Sequence, residues 1–587
     1  MRQLRGCVFL LMAAGIGCAF AQSDELIIKA MKDEMQRSKT LRLPGLDPPY
    51  YIEYTIEDAD TLAISATLGA LVLEAHTPLR IQEVKTRVGD YGFDNTNYIF
   101  SDAFRGVRYD TQQLPLETNY AGLRHILWLA TDRAFKTAEE GIARKKSALK
   151  NVSVPDTLPD FSKAEPAEAL LPAPRVRVDE ASWKKRTVDL SAIFASYPDI
   201  QSSSIDFDST QSTSYFVNSE GTLVREADNV AYFRVRGYAQ AADGSPIRDA
   251  VVIQASDANG FPPDAELRRS VTQVAENVTA LAHAPQGFAY DGPVLFEGLA
   301  SAQLFGQLLG DSLKLSRKPV PEPGRPVPFR PGELESRAGS RILPEWMDVV
   351  DDPAQAEYGG QKLLGHYAYD LEGVKAKAVT IAEKGVLKDF LRTRTPALKG
   401  FEGSNGHARL PGSYGADAAG IGNLFVRASQ TLPAADMKKK LIDLCKQRNK
   451  PYCLIVRKLD WPSSASVDEL RRELSGMAMS GGGGRPVSLP LLVYRVDTDG
   501  KEELVRGVRF RGLSTRSLKD IVAASDKPYV YNYIDSTVPF ALMGAGAFVT
   551  NSTIVAPAVI MDDIEFEQVI DETPTLPIVP PPPAKQS

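Results

Sequence analysis

The sequence is poor in the two side chains that most often bind zinc, with five histidines and four cysteines among 587 residues. The histidines are His76, His125, His283, His366 and His407. No two of them have the H-E-x-x-H spacing that places imidazoles on one helical face. A G-x-S-x-G nucleophile elbow is also absent. A metal site would therefore have to be assembled from distant segments, and residue spacing alone identifies no catalytic centre.

Long hydrophobic runs are absent after the first twenty residues, which argues against a transmembrane span in the mature chain. Residues 1–21 combine a basic start, a short apolar run and small residues, which together are typical of a secretory signal peptide. We expect cleavage after Ala21 and a periplasmic or secreted protein. Lipidation at Cys18 is the alternative, although Gly15 stands where lipoprotein signals usually carry a large aliphatic residue.

Positive charge is scarce, with 68 lysines and arginines against 74 aspartates and glutamates, a formal net charge of -6. Loss of residues 1–21 removes two arginines, which leaves 66 basic residues against 74 acidic ones and a net charge of -8. A nucleic-acid-binding protein needs a broad basic surface. Short clusters of lysine and arginine, such as those at 184–186 and 438–440, are better interpreted as solvated faces of helices or loops. We therefore expect no nucleic-acid partner.

The mature chain would keep two cysteines, Cys445 and Cys453. Cys445 ends a predicted helix and Cys453 begins a predicted strand, with a predicted turn at 449–451 between them. Export would permit a disulfide between these residues. Two buried free thiols are the alternative. A zinc site is disfavoured because no histidine lies nearby in the sequence.

The first third of the chain combines helical and strand-like patterns and predicts an α/β domain over residues 22–186. Apolar residues recur at helical spacing in 26–37 and 120–149. Partial alternation of β-branched and polar residues predicts strands in the segments that follow the first helix. These predicted strands are residues 51–56, 61–73 and 80–88.

The rest of the chain, residues 187–573, predicts a larger domain that is rich in antiparallel sheet and carries packed helices, giving an α+β protein overall. Its clearest helix is 264–281, where apolar residues repeat every three or four positions. Two proline-rich segments interrupt or end this pattern. We predict an exposed loop at 319–331 and a disordered tail at 574–587.

A series of short phrases occurs in a fixed order in the second half of the chain. The phrases are GPVLF at 292–296, YDLEGV at 369–374, KGVLKDFL at 384–391, SNGHAR at 404–409, GIGNLFV at 420–426 and IVAPAVIMDDIE at 554–565. Their number and order resemble the TldD/PmbA peptidase family, whose members are also called modulators of DNA gyrase. The resemblance implies the fold of that family, with an N-terminal α/β domain and a larger β-rich C-terminal domain.

The zinc motif of TldD-type members is not preserved. Those members carry H-E-x-x-x-H at the start of a helix, and the matching run here reads FEGLAS at 296–301. Phe296 and Ser301 therefore replace both histidines, and only Glu297 matches, in the position of the general base. The alternative for Glu297 is a carboxylate that the helix macrodipole favours at a helix N-terminus. The family's C-terminal cysteine ligand has no counterpart after Cys453.

Catalytic zinc usually needs three protein ligands, so we expect no cofactor in this chain and zinc only in a partner. The resemblance to PmbA-type members, which lack the motif and pair with a TldD-like zinc-bearing subunit, implies a heterodimer that degrades unfolded or small peptides. One alternative is a catalytically inactive peptide-binding or scaffold protein, such as a homodimer. A self-sufficient metallopeptidase with another ligand set is the least favoured alternative.

Three residues of the ordered phrases are candidate contacts to a peptide substrate: His407, Arg409 and Asn423. Arginine can hold a carboxylate with paired N–H donors, which suits the end of a peptide. A structural turn with surface charges is the alternative for His407 and Arg409. For Asn423, which follows Gly420 and Gly422, hydrogen bonding to nearby backbone is the alternative.

Overall fold

The computed structural model describes most of the chain between residue 23 and residue 569. The described residues are 23–42, 44–101, 113–152, 157–325, 327, 329, 331–462, 464, 487–536 and 549–569. The predicted signal peptide, Cys18 and the predicted tail at 574–587 lie outside them. None of the described helices is both long enough and apolar enough to cross a membrane. The two main sheets and their packed helices confirm the predicted α+β class.

The first sheet has seven strands in the order β2-β1-β4-β5-β3, with β6 paired to β4 and β7 paired to β6. Its strands are β1 (Pro49–Thr67), β2 (Ala70–Val88), β3 (Glu168–Leu170), β4 (Ile200–Asn218), β5 (Leu223–Ala227), β6 (Val230–Gln240) and β7 (Pro246–Ala255). A tight turn at Leu68 and Gly69, both with positive φ, joins β1 to β2. The single strand predicted over 61–73 is therefore wrong, because this turn divides it.

Four helices pack with the first sheet. They are α1 (residues 23–38), α2 (Tyr120–Ala148), α3 (Glu180–Ser191) and α4 (Asp264–His283). The α2 helix begins where the side chain of Asn119 accepts the backbone N–H of Gly122, which satisfies one of the free donors of the first turn. The α4 helix contacts β6 and β7 through a stripe that includes the fully buried Leu267 and Val271. The helices predicted at 26–37, 120–149 and 264–281 are confirmed.

The first sheet continues well beyond residue 186. The β1 strand pairs with β4 from Glu53 opposite Asn218 onward, so the sheet joins segments about 160 residues apart in sequence. The change to the second sheet occurs between Ala255 and Tyr290. The predicted boundary at 186/187 thus lies inside α3 and does not mark a change of sheet. Local patterns could not reveal this, because the pairing of β1 with β4 is a long-range interaction.

The second sheet has eleven strands, with a main path of β13-β12-β9-β16-β22-β8-β17-β18-β19, while β20 and β21 pair with β22. Its strands are β8 (Tyr290–Phe296), β9 (Met347–Asp351), β12 (Val379–Glu383), β13 (Val386–Leu387), β16 (Asn423–Ala428), β17 (Tyr452–Leu459), β18 (Pro490–Asp497), β19 (Glu502–Val505), β20 (Val508–Arg511), β21 (Ile521–Ser536) and β22 (Val549–Gln568). Two short hairpins lie beside it: β10 (Glu357–Tyr358) with β11 (Gln361–Lys362), and β14 (Ala408–Pro411) with β15 (Asp417–Ala419).

Helices cover both faces of the second sheet. The α5 helix (Gly298–Gly310) packs in the same core as Val294 and Phe296, whereas α6 (Met437–Gln447) packs in the core that contains Leu295. This alternation along β8 follows from the two-residue period of a strand. Cys445 on α6 and Cys453 on β17 are joined by a disulfide, with their Cα atoms 6.1 Å apart. The structure therefore favours the disulfide over two free thiols.

The proline-rich segment at 319–331 is attached to the rest of the protein at its start. The backbone N–H of Val320 donates to the oxygen of Asn97 over 2.7 Å, and the N–H of Ile99 donates to the oxygen of Val320 over 3.0 Å. The Tyr98 hydroxyl also donates to Glu322. Because Val320 is buried, the prediction of an exposed loop is wrong for this part of the segment.

Candidate functional site

The matching glutamate of the family's zinc motif, Glu297, is held in an ionic cluster. It follows β8 and precedes α5, and its Oε2 accepts a hydrogen bond from Nε of Arg457 over 2.8 Å. Nη2 of Arg457 also donates to Oε2 of Glu502 over 2.9 Å. The Glu297 side chain does not cap α5, although its backbone oxygen accepts the N–H of Ala300. The carboxylate of Glu297 is therefore engaged by a guanidinium in this structure.

The two histidine positions of that motif hold side chains that cannot bind zinc. Phe296 lies in the core with its ring centroid 5.9 Å from that of Phe510. The hydroxyl of Ser301 is fully buried and donates to the backbone oxygen of Pro557 over 2.6 Å. No cluster of three or more His, Cys, Asp or Glu side chains in the described ranges is arranged to hold a metal ion. Phe296 and Ser301 therefore do not supply the zinc ligands that the family resemblance implies.

A cavity of about 420 Å³ lies between the first sheet and loops of the second. Its lining includes Phe216 and Glu226 from β4 and β5, His366, Tyr367 and Tyr369 from the loop after β11, and Arg409, Thr550 and Asn551 from β14 and β22. Small-molecule sites commonly have volumes of about 300–1,000 Å³ and lie between layers or domains. The cavity therefore has the size and position of a ligand site.

Arg409 is the predicted substrate residue that the structure places in this cavity. Its guanidinium carbon lies 3.9 Å from the centroid of the Tyr367 ring, in a cation–π contact. Nη2 donates to the backbone oxygen of Asn551 over 2.8 Å. The contacts of this guanidinium in the described part of the chain, to Tyr367 and Asn551, include no salt bridge with a carboxylate. The cavity thus contains a fixed cation whose charge is not neutralised by a direct ion pair there.

His407 is next to Arg409 in the same phrase but points into the protein interior. Its side chain is completely buried. Nδ1 lies 3.1 Å from the backbone oxygen of Asn405, and Nε2 lies 3.4 Å from Oδ1 of Asp351. The imidazole therefore connects two buried segments and cannot touch a peptide in this conformation.

Asn423 is also completely buried, and its amide supports the loop that follows β9. Nδ2 donates to the backbone oxygens of Asp352 and Gln355 over 3.2 and 2.8 Å. This is the backbone role given as the alternative in the sequence analysis. Of the three predicted substrate contacts, the structure places only Arg409 where a ligand could reach it.

Glu297 and Arg409 are well separated. The first turn of α5, directly after Glu297, contacts Pro557 on β22, whereas Arg409 contacts Asn551 on the same strand. Six residues of a strand span about 20 Å. The structure therefore does not combine the predicted catalytic residue and the predicted substrate residue in one site.

Two buried carboxyl groups lie on the turn beside the cavity. Oδ1 of Asp370 accepts the backbone N–H of Glu372, and burial raises the pKa of Asp370 to about 7. Burial, together with the negative charges of Asp417 and Asp370, raises the pKa of Glu372 well above its usual value. The backbone N–H of Arg394 donates to Oε2 of Glu372 over 2.6 Å. Both carboxyls therefore favour the protonated form more in the folded protein than in the unfolded chain.

This pair should make the folded protein less stable as pH rises from about 4 toward 7. The folded state keeps protons that the unfolded chain has already released, and each such proton lowers the free energy of unfolding by about 1.4 kcal/mol per pH unit. Urea denaturation between pH 4.5 and pH 7.5 should give a shallower decline for Glu372→Gln, which has no proton to lose. Glu402→Gln is the control: the backbone N–H of Gly400 lowers the pKa of this carboxyl, so the slope for this variant should match the wild-type slope above pH 5. Identical slopes for Glu372→Gln and wild type would contradict the expectation.

Sequence reasoning missed several cavity residues. Tyr369 begins one of the phrases that carried the family resemblance, but nothing in that phrase indicated a cavity. Tyr367 and His366 precede the phrase and carry no recognisable motif. Asn551 is brought to Arg409 by the pairing of distant strands, and no local pattern could reveal that contact.

Comparison with known proteins agrees with this description of the fold. Residues 291–480 match the model of the PmbA/TldA metallopeptidase C-terminal domain. Residues 291–480 therefore carry a domain of the TldD/PmbA family. The matched segment begins in β8, so it includes the altered motif at 296–301 and both Arg409 and Asn423.

Two relatives of the chain are described as metalloproteases. The protein from Methanothermobacter thermautotrophicus is 28% identical over 237 residues, which are 39% of this chain and 47% of that relative. The protein from Archaeoglobus fulgidus is 37% identical over 79 residues, which are 14% of this chain and 17% of that relative. The chain thus matches about half the length of the first relative and a smaller part of the second.

Solved structures share the fold over nearly the whole chain. TldE from Thermococcus kodakarensis has a TM-score of 0.54 at 13% identity and covers 92% of this chain and 100% of its own. A candidate modulator of a DNA gyrase from Thermotoga maritima has a TM-score of 0.53 at 13% identity and covers 93% of this chain and 100% of its own. At this identity the likeness shows the TldD/PmbA fold alone.

Proposed function

We propose that this TldD/PmbA chain is the zinc-free subunit of an exported peptidase complex and helps a zinc-bearing TldD-like partner to degrade unfolded or small peptides. The proposal rests on the altered zinc motif, FEGLAS at 296–301, at the start of α5. Phe296 and Ser301 occupy the two histidine positions, and Arg457 binds the carboxylate of Glu297. The chain therefore contributes to peptide binding, while the partner supplies the metal.

The match of residues 291–480 to a metallopeptidase family domain, as well as the cavity between the sheets, supports a peptide-handling role. The cavity has charged, aromatic and backbone groups around a volume of about 420 Å³. An extended peptide can also add to a free strand edge through main-chain hydrogen bonds, which are tolerant of side-chain sequence. Such binding suits a complex that accepts unfolded or short peptides of many sequences.

A periplasmic or secreted location is the second part of the proposal. It is based on the signal-like residues 1–21, and the disulfide between Cys445 and Cys453 is consistent with it. Disulfides persist in oxidising compartments and are rare in the cytosol. Mass spectrometry of the mature N-terminus from periplasmic and culture fractions would give both the cleavage site and the compartment.

The subunit proposal predicts that zinc and peptide cleavage depend on a partner. The chain should be purified without chelator, alone and together with a co-expressed family member that carries H-E-x-x-x-H, and metal should be measured by mass spectrometry. We expect almost no zinc in the lone chain, zinc in the complex, and cleavage of an unfolded peptide only by the complex. Glu297→Gln should leave that cleavage unchanged because Arg457 already binds this carboxylate.

Three outcomes would contradict parts of this proposal. Stoichiometric zinc in the lone chain would point to an unrecognised ligand set and a self-sufficient metallopeptidase. Cleavage that is equally fast without this chain would remove its role in the reaction. Absence of any zinc-bearing partner, combined with self-association, would favour an inactive binding or scaffold homodimer.

A further inference from the structure

The charge of Arg409 is the unusual feature of the cavity between the sheets. The side chain is half-buried, and within the described ranges its one hydrogen bond runs from Nη2 to the backbone oxygen of Asn551. Its Nε is shielded from solvent and has no hydrogen-bond partner among the described residues. Partial burial of a cation is costly when no anion pairs with it directly. An anionic ligand in the cavity would supply that compensation.

The direction of approach follows from the groups that are already used. A guanidinium has five N–H donors in one plane. Tyr367 covers one face of the Arg409 plane, and the shielded Nε closes its inner edge. A ligand therefore meets the outer end of the guanidinium, formed by Nη1 and the remaining N–H of Nη2. A carboxylate fits this end with two parallel hydrogen bonds.

The remaining charges of the cavity indicate which anion is suitable. Glu226, Asp228 and Glu357 line the same space, and Lys362 is the other cation there. Three carboxylates would repel a ligand with several negative charges, such as a phosphate ester. A short peptide carries a single carboxylate and a positive amino terminus that these acidic groups attract. Phe216 adds apolar surface for a peptide side chain.

We infer that this cavity binds the end of a short peptide, with the C-terminal carboxylate of the peptide on the terminal nitrogens of Arg409. This inference rests on the proposed peptide-handling function and specifies where one end of the peptide is held. It also implies a preference for free carboxyl termini over blocked ones. Internal segments of a long chain, which lack a terminal carboxylate, gain nothing from Arg409.

Calorimetric titration of the full chain with trialanine and with its C-terminal amide tests the inference. The amide should bind at least about tenfold more weakly, because charge-assisted hydrogen bonds are lost. Arg409→Gln should weaken binding of the free acid by a similar factor and leave binding of the amide unchanged. The matched control is Arg427→Gln, at an exposed arginine on β16 that does not line the cavity.

The possible results separate this inference from the proposed function. Equal affinity for the acid and the amide in the wild-type chain overturns the carboxylate role, and this comparison holds even if Arg409→Gln does not fold. Propionate that binds as tightly as trialanine would show a site for free carboxylic acids instead of peptides. If the wild-type chain binds neither trialanine nor its amide, while the complex with a zinc-bearing partner still cleaves peptides, the cavity is not a peptide site. The subunit proposal would then stand without it.

Discussion

Replacing Arg394 with glutamine should lower the free energy of unfolding by about 3–5 kcal/mol, because it removes one partner of a buried ion pair. Arg394 is completely buried. Its Nη2 donates to Oε1 of Glu220 over 2.7 Å, and Nε and Nη2 donate to the backbone oxygen of Ser162 over 2.9 and 2.7 Å. The guanidinium carbon also lies 4.1 Å from the centroid of the Phe161 ring. One side chain thus connects the second half of the chain to the turn between β4 and β5.

Chemical denaturation of the mature protein measures this effect. Arg511→Gln is the matched control, because Arg511 is 70% exposed and pairs with Glu565 on the surface. A change of less than about 0.5 kcal/mol is expected there. Combining Arg394→Gln with Glu220→Gln should recover part of the loss, since no unpaired charge remains. A loss below about 1 kcal/mol for Arg394→Gln alone would mean that the contact contributes little to stability.

Gly365→Ala should destabilise the protein by about 2 kcal/mol or more and also weaken peptide binding. A Cβ at this position would meet the backbone oxygen of Gly422 and lie 2.6 Å from its carbonyl carbon. Gly422 directly precedes β16, so its backbone atoms cannot move without displacing that strand. The N–H of Gly365 also donates to Oγ1 of Thr553 over 3.0 Å. The substitution would therefore displace the loop that carries Tyr367 over Arg409.

The control for this substitution is Gly403→Ala. A Cβ at Gly403 would meet nothing within 4 Å, and its backbone needs no positive φ. The free energy of unfolding should stay within about 0.5 kcal/mol of wild type. Thermal and urea denaturation of both variants, followed by trialanine titration of the folded ones, makes the comparison. Equal stability of the two variants would show that the close approach of residues 365 and 422 is not maintained in solution.

Local sequence patterns predicted the helices better than the strands. The α4 helix was predicted as 264–281 and observed as Asp264–His283, because its apolar stripe repeats within a single segment. By contrast, the strand predicted over 61–73 is divided by the turn between β1 and β2. The β4 strand continues without a break from Ile200 to Asn218. Its polar residues are accepted because both of its edges pair with other strands, β1 on one side and β5 and β6 on the other. Pairing over such distances leaves no local signature.

The candidate site was only partly predictable for the same reason. The phrase SNGHAR drew attention to residues 404–409 but could not show which side chains face the cavity. His407 is enclosed and Arg409 faces the cavity, although the two-residue period of a strand would put both on one side. His407 directly precedes β14, so this period does not apply to it. Glu297 was recognised from the family motif, but its partner Arg457 lies 160 residues away. Long-range pairing of β8 with β17 brings them together.

The position of β22 has a consequence for the order in which the protein can form during synthesis. This strand, Val549–Gln568, pairs with β8, β16, β20 and β21, so it occupies the middle of the second sheet. Ribosomes produce the earlier strands first. The strands that pair with β22 therefore cannot complete the second sheet until residues 549–568 have been synthesised. Until then, the edges of β8 and β16 that face β22 stay unpaired.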